Sequence, residues 1–228
     1  MLRMRSIFSR ICGFLLALAV ALLLLAMIID GLGSSAPLMQ KMMTSFAPAD
    51  ATGLPAEEYP GMARMITGYL SGREKTFQYT WTDAEGVTYL AFRDYEQQHM
   101  ADCFQLFVLC RKVALGSALA VGVCMGAAWL LRDRRRISQG FFLGSAVTIL
   151  SALALIVWGL VDFDGLFILF HQISFDNGLW LLDPATDLLI RLMPTHFFIT
   201  YAAVLGISWL GGMILALLLS WRMMKIRR

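Results

Sequence analysis

The sequence predicts an all-α integral membrane protein, a four-transmembrane-helix bundle with an external β-hairpin and short interfacial helices. Four apolar runs, 11–29, 113–131, 141–161 and 197–221, are each long enough to cross roughly 30 Å of hydrocarbon as a helix. Charge alternates in sign across the polar segments that separate them. Arg3, Arg5, Arg10, Arg132, Arg134, Arg135, Arg136, Arg222, Lys225, Arg227 and Arg228 share one side with a single acid, Asp133, while the other side holds the remaining 15 of the 16 carboxylates. The excess of arginine and lysine in cytoplasmic segments orients all four helices consistently, with both termini cytoplasmic. With 58% of 228 residues hydrophobic, little is left for a soluble core once the spans are set aside. The chain is therefore expected to form one membrane domain over 1–228, with external segments at 30–105 and 162–196.

The net charge of +3 carries no nucleic-acid signal, because its basic excess sits at the inner membrane face, where it meets anionic headgroups. The first run is longer than the apolar region of a signal peptide, and Pro37 follows the small residues at which cleavage would fall, so the helix is expected to be retained. Cys12 lacks the small apolar neighbours of a lipid-attachment site, since Arg10 and Ile11 precede it. Cys103 and Cys110 stand on one helix, roughly 10 Å apart along its axis and too far for a disulfide. The cysteines are expected to be small apolar packing residues.

In the first external segment the part through Pro60, rich in Pro, Gly, Ala and Met, is expected to be loop and short helix at the membrane surface. Phe77, Tyr79 and Trp81 then alternate with polar residues, Asp83 to Gly86 supplies a turn, and Val87, Tyr89 and Ala91 alternate again, the pattern of a short β-hairpin. Asp94 with Gln97 three residues later resembles a capping box and opens a helix through His99, Asp102 and Leu106 toward the second span. His99 and Asp102 fall on one face of it, a turn apart, where the carboxylate is placed to fix the imidazole tautomer and favour its protonated form. The plainer account is an interfacial histidine beside an acid.

The second external segment holds Phe170-His171-Gln172 and, three residues on, Phe175-Asp176-Asn177-Gly178-Leu179-Trp180-Leu181-Leu182-Asp183-Pro184. Asp183 before Pro184 is a helix-start signal, Leu188, Leu189 and Leu192 give that helix an apolar side, and Pro194 ends it. It is expected to lie along the outer leaflet. His171 then falls at or just below headgroup level, where an ionisable residue points to function. His196, at the outer end of the last span, is expected to be a headgroup-level histidine, and Phe170, Phe175 and Trp180 to be interfacial anchors.

His99-Met100-Ala101-Asp102 followed by the 170–184 pattern resembles the bacterial lipoprotein intramolecular transacylase family, Lit. The resemblance covers essentially the whole chain: four spans, a long first external loop, a short second one, and both motifs in order. Family members commonly continue after the aspartate with Val-Lys, where this chain has Cys103-Phe104, so no role for that lysine carries over. The resemblance implies a membrane enzyme acting on lipoproteins whose N-terminal cysteine carries a diacylglyceryl thioether. The sn-2 acyl chain moves to that cysteine's α-amino group and leaves a lyso-form lipoprotein, with no cofactor and no metal. It also implies a bacterial cell membrane location, with the site at the extracellular face and membrane lipid as a second partner.

That reaction needs a base for the attacking amine, a proton for the leaving oxygen and donors for the oxyanion. An ordinary imidazole, with a pKa of about 6.5, suits the first task near neutral pH. The expected catalytic residues are His171 as base and His99, oriented by Asp102, as acid or orienting partner. Gln172, Asn177, Trp180 and Asp176 are the candidates for substrate binding or the oxyanion. Transient acylation of a histidine is a variant, since imidazole is nucleophilic toward esters. Three rival functions are weaker. The spans have no mid-membrane charge for conduction, and no two histidines have the i, i+4 spacing of a helical zinc motif. A noncatalytic scaffold acting through the hairpin is the alternative from another class, and it predicts that both histidines are dispensable.

Overall fold

The computed structural model describes residues 2–225 except Ala84, without the side chains of Leu2 and Arg3. Arg227 and Arg228, on which the charge bias rests in part, lie outside the described residues, as does the Arg3 side chain. In chain order the elements are α1 (Leu2–Gly33), α2 (Ala36–Phe46), α3 (Ala49–Thr52), a 3-10 turn (Ala56–Glu58), α4 (Tyr59–Leu70), β1 (Thr80–Thr82), β2 (Thr88–Leu90), α5 (Asp94–Leu131), α6 (Arg134–Val161), α7 (Phe163–Ser174), α8 (Leu188–Leu192) and α9 (Thr195–Lys225). Four of these, α1, α5, α6 and α9, are long and apolar enough to cross a membrane. Each contains one of the four apolar runs and extends beyond it, because hydropathy marks the part that needs lipid whereas the helix continues until a residue stops it. In α5 the apolar run is the second half, and 94–112, with Asp94, Glu96, His99 and Asp102, precedes it.

The chain groups into two compact units. The first comprises 1–28, 110–163 and 204–228. Its α1 and α6 meet through small residues, which let two backbones approach closely. A Cβ on Gly140 would stand 1.9 Å from the Arg10 carbonyl oxygen, and one on Gly13 would stand 2.0 Å from that of Ile137. Trp209 in α9 donates its indole N–H to the Ala21 carbonyl at 2.8 Å, beside fully buried Met213. The α5–α6 turn places Arg132 at φ 52 and uses Asp133 as the cap, its carboxylate accepting from the Arg136 N–H at 3.3 Å.

The second unit, 29–109 with 164–203, holds every residue of the candidate site. The loop and short helix expected through Pro60 are present, but where little core was expected the unit has a packed interior built from Met39, Met43, Leu54, Tyr59, Met62, Ile66, Leu192 and Phe197, with α2 and α4 as its main walls. Tyr59 donates its hydroxyl to the Ala47 carbonyl, closing the α2–α4 connection. The hairpin is present, with Trp81 opposite Tyr89 and their rings stacked at 5.3 Å. Its flanks enter the core: Phe77 packs on Phe92 at 4.5 Å and on Tyr69 at 5.3 Å.

Two helix starts differ from expectation. Helix α5 begins at Asp94, and the reciprocal bond of the cap is made by Glu96, which accepts the Arg93 N–H at 2.8 Å, one residue before the predicted Gln97. Asp183-Pro184 forms a turn rather than a helix start. The Asp183 carboxylate accepts the Ala185 N–H and its carbonyl the Thr186 and Asp187 N–H groups, so the helix is delayed to Leu188 and shortened to five residues. The stretch before His171, for which no helix was expected, is α7.

Glu96 is 1% exposed and serves both helix starts, since its other oxygen accepts the Leu189 N–H at 2.9 Å. Asp187, also 1% exposed, accepts from Tyr95, from the Asp183 N–H at 2.8 Å and from Thr186 at 2.8 Å, with Arg93 at 3.5 Å. Burial alone would raise its pKa, but these donors outweigh burial and lower it.

Glu96→Ala would strand two backbone donors and is expected to cost about 3 kcal/mol, read as a drop in melting temperature in detergent, with Glu96→Gln losing less. Gly140→Ala is expected to destabilise by at least about 2 kcal/mol by forcing α1 and α6 apart, whereas Gly122→Ala, with nothing within 4 Å of the new Cβ, is expected to leave the melting temperature unchanged.

Candidate active site

The two histidines reach one place from separate helices, His99 from the second turn of α5 and His171 from the last turn of α7. Each is 7% exposed, and their ring centroids lie 6.1 Å apart. Aromatic rings enclose them. Phe167 lies 4.1 Å from His171, Trp180 5.0 Å, Phe170 5.3 Å and Phe175 5.5 Å, and Phe175 also stands edge-on to His99 at 5.1 Å. Such walls remove water and disfavour a charged imidazole.

The tautomer of His171 follows from one contact. Its Nδ1 lies 2.7 Å from the Phe167 carbonyl oxygen, one turn back along α7. A carbonyl oxygen can only accept, so Nδ1 carries the proton and Nε2 keeps its lone pair. Burial lowers the His171 pKa, and the bond to Phe167 opposes this without cancelling it, so the ring is a neutral base at pH 7.

His99 is held differently. Its Nε2 faces the Cys103 Sγ at 3.6 Å, one turn further along α5, and its Nδ1 is buried without a hydrogen-bond partner among the described residues. Burial first and His171 second push its pKa down to about 4, against the opposing carboxylate of Asp102. The expected bond from Asp102 to His99 is not formed. Asp102 instead accepts from the Asn177 amide at 2.9 Å, while the Asn177 side-chain oxygen accepts the Leu179 N–H at 3.0 Å. Asn177 thus ties the loop after α7 to α5, and Asp102 acts on His99 through its charge and through that loop.

Of the other expected residues, Trp180 is half-buried against His171. Gln172 and Asp176 are exposed, and neither joins the ring cluster. His196 is exposed and sits near Phe46 at 6.5 Å, apart from the pair. The spacing of sequence motifs missed Phe167, because no helix was expected before His171, and Cys103, although it stands four residues after His99 on a helix that was expected. Among the described residues, no group of three or more His, Cys, Asp or Glu side chains is arranged to hold a metal ion.

The described residues thus hold a buried imidazole pair and four helices long and apolar enough to cross a membrane, which defines a candidate membrane-integral protein. Known proteins specify the class. A family model described as lipoprotein intramolecular transacylase Lit matches residues 14–198. The fold is similar to a solved structure of the membrane-integral lipoprotein intramolecular transacylase Lit from Bacillus cereus, at a TM-score of 0.76 and 20% identity over 96% of each chain. It is also similar to a structure of that protein with one histidine replaced by alanine, at a TM-score of 0.75 and 20% identity over 98% of this chain and 97% of the other. Comparison with curated proteins gives no match. The chain belongs to the lipoprotein intramolecular transacylase (Lit) family and is a membrane-integral acyltransferase of lipoproteins.

Asn177→Ala is expected to release the loop between α7 and α8, seen as faster hydrogen exchange at the Leu179 amide, with exchange in α4 unchanged.

Proposed function

We propose that the protein moves the sn-2 acyl chain of a diacylglyceryl-modified N-terminal cysteine onto that cysteine's own α-amino group, with His171 as the base. The observation that supports this most is the bare Nε2 lone pair of His171 in a buried site shared with a second neutral imidazole. The amine attacks the ester carbonyl, and His171 Nε2 takes the proton that nitrogen sheds. A tetrahedral oxyanion results, and it needs a donor in a place without water. His99, neutral and with an unpartnered buried Nδ1, is the group available to give a hydrogen bond there. The C–O bond then breaks, the sn-2 oxygen takes the proton back from His171, and the products are an amide and a free hydroxyl. One histidine thus serves as base and then acid, and His99 keeps its proton throughout.

Exposed Phe170, Ile173 and Leu181 stand on the segments that carry the site and offer apolar surface to the acyl chains. The topology that fits puts both termini in the cytoplasm and this unit on the extracellular face of a bacterial cell membrane, where the diacylglyceryl cysteine is anchored. The substrate supplies every reacting group, so the step needs no cofactor.

The test is mass spectrometry of a lipoprotein's N-terminal lipopeptide from cells that lack N-acylation. With the intact chain, the acyl count is expected to stay the same and one chain to appear on the amine. His171→Ala and His99→Ala are each expected to lower turnover at least about 100-fold. Unchanged product with both histidines replaced would overturn their catalytic assignment, and a diacylglyceryl form left untouched by the intact chain would overturn the transfer itself in favour of a noncatalytic scaffold.

Turnover also has a defined acid limit. The folded pKa of His171 lies below the ordinary value of 6.5, so the base remains neutral as pH falls through 6.5 and is lost only below it. The acid limb of kcat against pH is therefore expected below 6.5, and a limb above that value would contradict a desolvated base.

A further inference from the structure

His99 can present an N–H to the oxyanion only if its proton sits on Nδ1. For His171 a carbonyl settles the matter, but among the described residues no carbonyl hydrogen-bonds to the ring of His99. Among the described residues the polar group that meets it is the Cys103 sulfur, 3.6 Å from Nε2. We infer that the Cys103 thiol donates its hydrogen to Nε2 of His99 and thereby fixes the Nδ1–H tautomer, making Cys103 a positioning residue for the oxyanion donor.

Geometry places the two groups together, because residues four apart on a helix face each other, and both sit within the turn of α5 that fronts the site. Chemistry gives the direction. A neutral thiol is a poor acceptor, whereas an imidazole nitrogen with a free lone pair is a good one, so S–H to N is favoured over N–H to S. Burial, aided by the Asp102 carboxylate, pushes the Cys103 thiol up to about 12, which keeps the hydrogen on sulfur. The remaining ring nitrogen agrees. Nδ1 is buried, has no hydrogen-bond partner among the described residues, and belongs to a ring that shares its pocket with the base. A bare lone pair there would repel a developing oxyanion, and an N–H would bind it.

The inference rests on the proposed roles of His171 and His99, and two measurements separate its failure from theirs. The first is turnover of diacylglyceryl lipopeptide by the purified full-length chain. Cys103→Ala removes the donor and is expected to lower kcat about 3- to 10-fold with KM unchanged, the scale of one modest hydrogen bond. Cys103→Ser restores a donor and is expected to recover most of the loss, which relief of a packing defect would not predict. The second is nitrogen NMR of the intact protein labelled at histidine. The wild-type and serine proteins are expected to show Nδ1 of His99 protonated and Nε2 bare, and the alanine variant a mixture. A wild-type ring protonated on Nε2 would overturn the inference however the variants behave. So would alanine and serine variants with wild-type kcat while His99→Ala remains inactive. If His99→Ala and His171→Ala are themselves active, it is the catalytic reading that fails.

Discussion

The bond from Nδ1 of His171 to the Phe167 carbonyl governs the rest of the site. It consumes the ring's only proton within α7, one turn back, and so decides before any substrate arrives that Nε2 is the basic atom. The aromatic walls then keep that atom neutral. A charged imidazole beside Phe167, Phe170, Phe175 and Trp180 would lose more hydration than the bond to the Phe167 carbonyl returns, so the ring rests in the form that can accept a proton. Acyl transfer to an amine needs that form first and the charged form only in passing.

Placing this base against its partner is a task for the scaffold. His99 and His171 come from helices whose separation along the chain is large, and three polar devices hold their surroundings in register. Glu96 satisfies the starts of α5 and α8 at once. Asp187 gathers Tyr95, Arg93, Thr186 and the Asp183 N–H, so the loop before α8 cannot drift from α5. Asn177 joins the other end of that loop to Asp102. Each is a carboxylate–donor or amide contact at or near α5, and together they explain why so short a segment, 175–187, is ordered without regular structure.

Much of the architecture could be read from residue order. Four apolar runs predicted four helices, because a span needs a length of uninterrupted hydropathy that few other structures require. The hairpin was legible in the alternation of Phe77, Tyr79 and Trp81 against Val87, Tyr89 and Ala91. The packed interior of the second unit was not, since Pro, Gly and Ala mask it, although Met39, Met42, Met43 and Phe46 stand at helical spacing, as do Met62, Ile66 and Leu70. The helix starts slipped by one and by four residues because Asp94 with Gln97, and Asp183, read as the caps, whereas Glu96 and Asp187, which hold those starts, are claimed by tertiary partners. That the two histidines meet was implied by the resemblance of the motifs to a family and by no periodicity. The hydrogen bonds that set their roles come from residues four positions away, which motif spacing passes over.

The central claim is that His171 is a desolvated neutral base whose lone pair is on Nε2. It is tested most directly by nitrogen NMR of histidine-labelled full-length protein titrated through the acid range in detergent micelles or lipid nanodiscs. Nδ1 is expected to be protonated and Nε2 bare at pH 7, with protonation of Nε2 only below pH 6.5. A ring that carries its proton on Nε2 at pH 7, or one that is already charged above pH 6.5, would contradict the claim.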